Sequence, residues 1–193
     1  MSLPQRIRAI LGAPALEWQR IAGERPTIAS VYTGYVMFLA AIGPAMIVLS
    51  SLVLGAFGMV FAVRAAVALY VTTLIAVAVV ALVADALAPS FGGTRDYLRS
   101  LELVAYSFTP AWLAQVTLIV PLLGGLVVLA AGVYAFYLFF LGAPPLRRSS
   151  VVKAAPYTLV VVLCTIVLMF VLRAMIFGIV YAPLVHGSAG LIR

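Results

Sequence analysis

The stretch Ala65–Pro89, AAVALYVTTLIAVAVVALVADALAP, decides the fold. Twenty-four residues precede the proline, and only one of them, Asp85, carries a charge. A helix rises 1.5 Å per residue, so about 20 apolar residues cross a hydrocarbon core about 30 Å thick. This is a membrane span over 65–88. Ala68, Thr72, Ala76, Val80, Ala84 and Ala88 recur at steps of four, a stripe of small residues that lets a neighbouring helix approach closely. Pro89 stops the span, because the residue before a proline disfavours the α region.

Working outward, the same pattern returns. An apolar run over 30–56 predicts a first span, with Tyr32 and Tyr35 at its entry interface and Gly55 and Gly58 in the turn that follows. A third span is expected over 101–120, bent or broken near Pro110, where the missing N–H removes one helical bond. Pro121 and Gly124-Gly125 make a hairpin into a fourth span over 122–142, and Gly142-Ala-Pro-Pro-Leu-Arg-Arg breaks the chain again. A fifth span covers 155–180. The expected architecture is all-α: a polytopic bundle of five transmembrane helices over 30–180, an amphipathic N-terminal segment over 1–29 and a tail over 181–193. In the N-terminal segment Leu3, Ile7, Ile10 and Leu11 recur at helical spacing, as do Trp18 and Ile21. This predicts one or two short helices on the membrane surface, with Trp18 at headgroup level. Arg6 and Arg8 do not head a signal peptide, since the apolar stretch ends at Pro14 and charges follow.

Composition agrees. Of 193 residues, 66% are hydrophobic and 9% charged; a soluble domain is about 45–50% apolar and about 25% charged. So few charges cannot cover a water-exposed surface, which excludes a soluble enzyme. The net charge of +7 sits in short clusters between apolar runs, so it speaks for topology and against a nucleic-acid face. With five spans and the N-terminus inside, Arg6, Arg8, Arg20, Arg25, Arg95, Arg99, Arg147, Arg148 and Lys153 are cytoplasmic, while Arg64 and Arg193 are outside. That asymmetry orients the chain in a cell inner membrane with its tail periplasmic.

The polar turn SFGGTRDYLRS, Ser90–Ser100, and its surroundings hold the candidate site. Gly92-Gly93 signals a turn, and Thr94 is an expected N-cap. Asp85 lies at a helix C-terminus, where the helix dipole disfavours an anion, and near lipid, where an unpaired charge costs several kcal/mol. A salt bridge to Arg95 or Arg99 is therefore expected, with Glu102 close by. Glu102, Tyr106, Thr109 and Thr117 fall within about 80° of helix surface at 100° per residue, giving the third span a polar, inward face. The candidate interaction or charge cluster is Asp85, Pro89, Gly92, Gly93, Arg95, Arg99, Glu102, Tyr106 and Pro110. Arg173, alone in the last span, is a candidate lipid contact by snorkelling.

Catalytic templates fail. One histidine (His186) and one cysteine (Cys164) cannot make a zinc site or an intramolecular disulfide. No Walker-type loop or dinucleotide fingerprint is present, and no cofactor is expected. Two readings remain. One is a non-enzymatic membrane protein acting through helix–helix or lipid contacts: a scaffold, assembly factor or accessory subunit whose partners are the bilayer and another membrane protein or a second copy. The other is a small transporter, channel or lipid-handling protein with a cytoplasm-facing Asp85/Glu102 pocket.

A set of motifs in order along the chain adds to this. They are Trp18-x-x-Ile21-x-x-Glu24, Asp85 with Pro89, Phe91-Gly92-Gly93, Ala105-Tyr106-Ser107-Phe108-Thr109-Pro110-Ala111-Trp112, Pro121-Leu-Leu-Gly124, Tyr134-x-x-Tyr137-Leu with Gly142, and Lys153-Ala-x-x-Tyr157. Their order resembles the Yip family, the Ypt/Rab-interacting integral membrane proteins, in its prokaryotic branch. The resemblance implies five spans and a cytoplasmic N-terminus. Eukaryotic relatives act in vesicle traffic and bind prenylated small GTPases. The regions around Asp85–Pro89 and Tyr106-Ser107 look like the family's two signature stretches.

Overall fold

A computed structural model describes residues 1–55 and 58–189, without the side chains of Pro121 and of 176–189. The described residues form helices and turns, with no strand. Ser2 and Pro4 open α1 (Leu3–Gly12), and Pro14 opens α2 (Pro14–Gly23). A proline costs nothing in a first turn, where its missing N–H has no helical partner. Thr27 caps the first long helix, accepting the Ser30 N–H at 3.1 Å. That helix, α3 (Ile28–Leu54), contains a π-helical stretch at Tyr32–Val36 and a break at Ala41, three residues before Pro44. Then come α4 (Met59–Leu87), a 3₁₀ turn (Ala88–Phe91), α5 (Tyr97–Ser107), α6 (Thr109–Ala114), a 3₁₀ segment (Gln115–Ile119), α7 (Pro121–Arg147) and α8 (Val151–Ala189).

Among the described residues four helices are long and apolar enough to cross a membrane: Ile28–Leu54, Met59–Phe91, Leu122–Arg147 and Val151–Met175. The third expected span, 101–120, is instead a chain of short pieces. Its break falls at Phe108, and Pro110 sits in the first turn of α6, where it fits without loss. The expected break after Gly142 is absent: α7 runs on through Pro144 and Pro145 to Arg147. Those prolines withhold two N–H donors from the preceding turn, while Arg147 anchors the extension from its far end, as described below. The last helix begins at Val151, four residues before the expected start, and stays helical to Ala189, so most of the expected tail is helix. Arg193 and the His186 side chain, placed outside the membrane by the sequence, lie outside what is described.

Packing follows the small-residue pattern of α4. Ala76, Val80, Ala84 and Ala88 are buried, joined by Ala62, Ala66, Val77 and Ala81. α4 packs on α3, α5 and α8. The most enclosed element is α5, in which every residue from Ser100 to Ser107 is buried. It lies between α4 and α7. The α1–α2 hairpin packs on α7, with Ile10, Trp18 and Ile21 fully buried. Trp18 is therefore a core residue rather than a headgroup anchor. Tyr35 is likewise internal: its ring meets Tyr106 edge-on at 4.7 Å and its hydroxyl is 2.6 Å from that of Thr109.

Candidate functional site

One end of the bundle gathers the polar residues. Three elements converge there: the end of α2, the turn from Pro89 to Asp96, and the end of α7. Pro89 sits in the 3₁₀ turn that ends α4. Gly92 then takes φ +76°, the left-handed region that favours glycine. Gly93 donates its N–H to the Ala88 carbonyl at 2.9 Å. The helix cap is two residues later than expected: Asp96, not Thr94, caps α5, accepting the Arg99 N–H at 3.1 Å.

Asp85 is paired, but not with Arg95 or Arg99. Its Oδ1 accepts from Arg147 at 3.0 Å, from the Asp96 N–H at 2.8 Å and from the Ser100 hydroxyl at 3.3 Å. Arg147 is 1% exposed and also donates to the Asp96 carbonyl at 2.7 Å. The physical demand on Asp85 read from the sequence was real, and a cation 62 residues away meets it. Thr94 N–H donates to the Arg147 carbonyl at 3.2 Å, and Tyr157 on α8 donates to the Ala84 carbonyl at 2.7 Å. The ends of α4, α7 and α8 and the turn are thereby joined around one buried guanidinium.

Arg99 serves a second junction. It pairs with Glu102 at 2.8 Å and donates to the carbonyls of Ile21, Ala22 and Glu24 at 2.8–3.0 Å. Those are two of the last carbonyls of α2 and that of its C-cap residue, where orphan acceptors and the dipole both favour a cation. Glu102 is fully buried, close to Asp85 in sequence order but bound to a different arginine. A third knot lies within the hairpin: Arg6 pairs with Glu17 and Glu24, Arg20 pairs with Glu17, and the Arg6 guanidinium lies 5.4 Å from the Tyr106 ring centroid. Burial works against the charged form of Arg6, but Glu24, Tyr106 and Glu17 more than offset it and hold its pKa above the ordinary value.

Beside these knots is a cavity of about 320 Å³. Its polar lining is Arg25, Thr94, Arg95, Asp96, Arg99 and Arg148, and the rest is apolar. Asp85 and Glu102 do not line it, so the pocket expected from those two acids is lined by their neighbours instead. Arg148 closes α7 at φ +53°, the one non-glycine residue with positive φ among those described. Tyr106 is buried in the aromatic core with Trp18 and Tyr35, and Pro110 is buried in α6, away from the cavity lining. Arg173 stands exposed on α8.

The sequence reading missed Arg6, Arg147 and Gly142 as structural residues. A Cβ on Gly142 would come 2.6 Å from Trp18 Cε2 and 2.7 Å from Leu103 Cδ1, so its role is a notch for α2 rather than a helix breaker. Its position one turn before two prolines masked this. Among the described residues no cluster of His, Cys, Asp or Glu could hold a metal ion.

Comparison with known proteins places most of the chain: the family model described as Yip1 domain matches residues 8–172. No curated protein and no solved structure is significantly similar to it.

Proposed function

Because the chain belongs to the Yip1 domain family, a family of multi-pass membrane proteins, we propose that it works without catalysis, as a scaffold, assembly factor or accessory subunit of a cell inner membrane. The observation that carries this is the use of its acids. The chain has five Asp and Glu residues, and each is committed to holding elements together. Glu17 and Glu24 bind Arg6, Asp85 binds Arg147, Asp96 caps α5, and Glu102 binds Arg99. Every acid thus sits in an ion pair or a helix cap, with Glu102 Oε1 left buried and unpartnered among the described residues. Meanwhile Val152, Leu159, Leu163, Ile166 and Phe170 stand exposed at helical spacing on α8, a face suited to lipid or to a partner helix.

In this reading the chain crosses five times. Support comes from α7, whose end lies beside Asp85 while its start packs on Thr117 and Leu118. A helix of 27 residues is about 40 Å long. The segment from Tyr97 to Ile119 then joins the two ends of the bundle and makes the remaining crossing. The N-terminus is cytoplasmic on the charge asymmetry, nine cations against two. Reporter fusions at the N-terminus and in the turn at Gly55 should report opposite sides. Purification of the full chain in a gentle detergent with crosslinking should give a discrete species with a membrane partner or a second copy. A chain that runs only as a monomer overturns the proposal.

A further inference from the structure

We propose that the cavity between α2, the Pro89–Asp96 turn and the end of α7 binds a phosphate monoester group. Four of the chain's 12 basic residues line it: Arg25, Arg95, Arg99 and Arg148. Arg99 is matched by Glu102. Arg25, Arg95 and Arg148 are exposed and make no ion pair or side-chain hydrogen bond among the described residues. Against them stands one acid, Asp96, whose Oδ1 is occupied by the Arg99 N–H. Three cations and one anion leave a charge of +2 around the cavity, which complements the charge of about −1.5 to −2 that a phosphate monoester carries near neutral pH.

Geometry supports the same group. Guanidinium forks match phosphate oxygens with paired, parallel bonds. The cavity, about 320 Å³, is at the lower end of the range for small-ligand sites, about 300–1,000 Å³. It has room for a phosphate together with attached atoms. Arg148 holds a left-handed conformation that glycine or asparagine fills at lower cost at a helix end. Such local strain clusters at binding sites, and here it presents one of the three unmatched guanidiniums. The cavity sits where apolar helices end, so the nearest source is a membrane lipid with a monoester headgroup. That assignment of source rests on the multi-pass reading above; the phosphate chemistry does not.

The test uses the full chain in detergent, probed by native mass spectrometry with dioctanoyl phosphatidic acid, dioctanoyl phosphatidylcholine and glycerol 3-phosphate. Phosphatidic acid should bind at least tenfold more tightly than phosphatidylcholine. Arg95→Gln/Arg148→Gln should weaken it at least tenfold, and Arg8→Gln, an exposed change on α1, should not. Glycerol 3-phosphate binding weaker than phosphatidic acid assigns the lipid; equal binding with the same arginine dependence assigns a soluble monoester. Should the double variant fail to elute as a single species, Arg25→Gln and Arg95→Gln are read singly and must each weaken binding. Equal affinity for both lipids, or binding unchanged in folded variants, overturns the proposal. A chain that still captures its membrane partner under those results loses the phosphate site and keeps the function proposed above.

Discussion

Replacing Gly142 by alanine tests how the N-terminal hairpin is held. The new methyl would lie 2.6 and 2.8 Å from Trp18 ring atoms and 2.7 Å from Leu103 Cδ1. Carbon atoms rest about 3.5–4.0 Å apart, so the ring must retreat by roughly 1 Å. There is nowhere to go: Trp18 and Leu103 are both 0% exposed. Overpacking of this kind costs about 1–3 kcal/mol. The substitution also gains about 0.5–1 kcal/mol, because glycine weakens a helix interior relative to alanine. Gly132 isolates that gain, since a Cβ there meets no heavy atom within 4 Å in the same helix. Gly132→Ala should raise the thermal midpoint slightly, and Gly142→Ala should fall below it by the equivalent of about 1–3 kcal/mol. The loss should be local. Tryptic cleavage after Arg20, on the hairpin, should quicken in Gly142→Ala and stay at the wild-type rate in Gly132→Ala. Equal midpoints and equal cleavage rates for the two variants would refute the notch.

Arg147→Met should destabilise the chain by about 3 kcal/mol, the lower part of the range for stripping one partner from a buried pair, since Asp85 keeps the Asp96 N–H and the Ser100 hydroxyl. A double-mutant cycle with Asp85→Asn should give a coupling above the about 0–1 kcal/mol of an exposed pair; zero coupling would sink the assignment. Arg99→Gln should speed tryptic cleavage after Arg20 by freeing three carbonyls at the end of α2 and its cap and leaving Glu102 without its cation, and Arg99→Lys should rescue it only in part, because an ammonium lacks the planar fork. Cys164, exposed on an apolar stretch of α8, should resist both apolar and sulfonated maleimides in intact membranes, because the attacking species is a thiolate and lipid disfavours it, and should react with both after denaturation; labelling in intact membranes would argue that this face meets water.

Much of this was legible in one dimension. Helices long enough to span a bilayer follow from apolar run length, because lipid forces each backbone donor to be satisfied within its own segment. Four of the five expected spans have a long apolar helix among the described residues, with ends up to six residues from the limits expected. Of the expected polar face, Glu102, Tyr106 and Thr109 are buried and Thr117 is half-buried, but Ser100–Ser107 is buried all round, so burial does not single out one face. The demand that Asp85 find a cation followed from the helix dipole and the cost of an unpaired charge.

What the sequence left open was who meets whom. The arginine nearest Asp85 along the chain is Arg95, yet the one that reaches it is Arg147, because α7 returns to the same end and continues past two prolines. Local signals could not show that continuation: glycine and proline usually end a helix, and here long-range contacts at Trp18, Thr94 and Asp85 hold the last turn in place. The same holds for Trp18, whose amphipathic setting fits a membrane surface and a protein surface equally. Apolar run length fixes which segments enter the membrane, since each must satisfy lipid independently. Only the tertiary structure decides ion pairs, notches and cavities, since these depend on the register between helices, to which sequence spacing is blind.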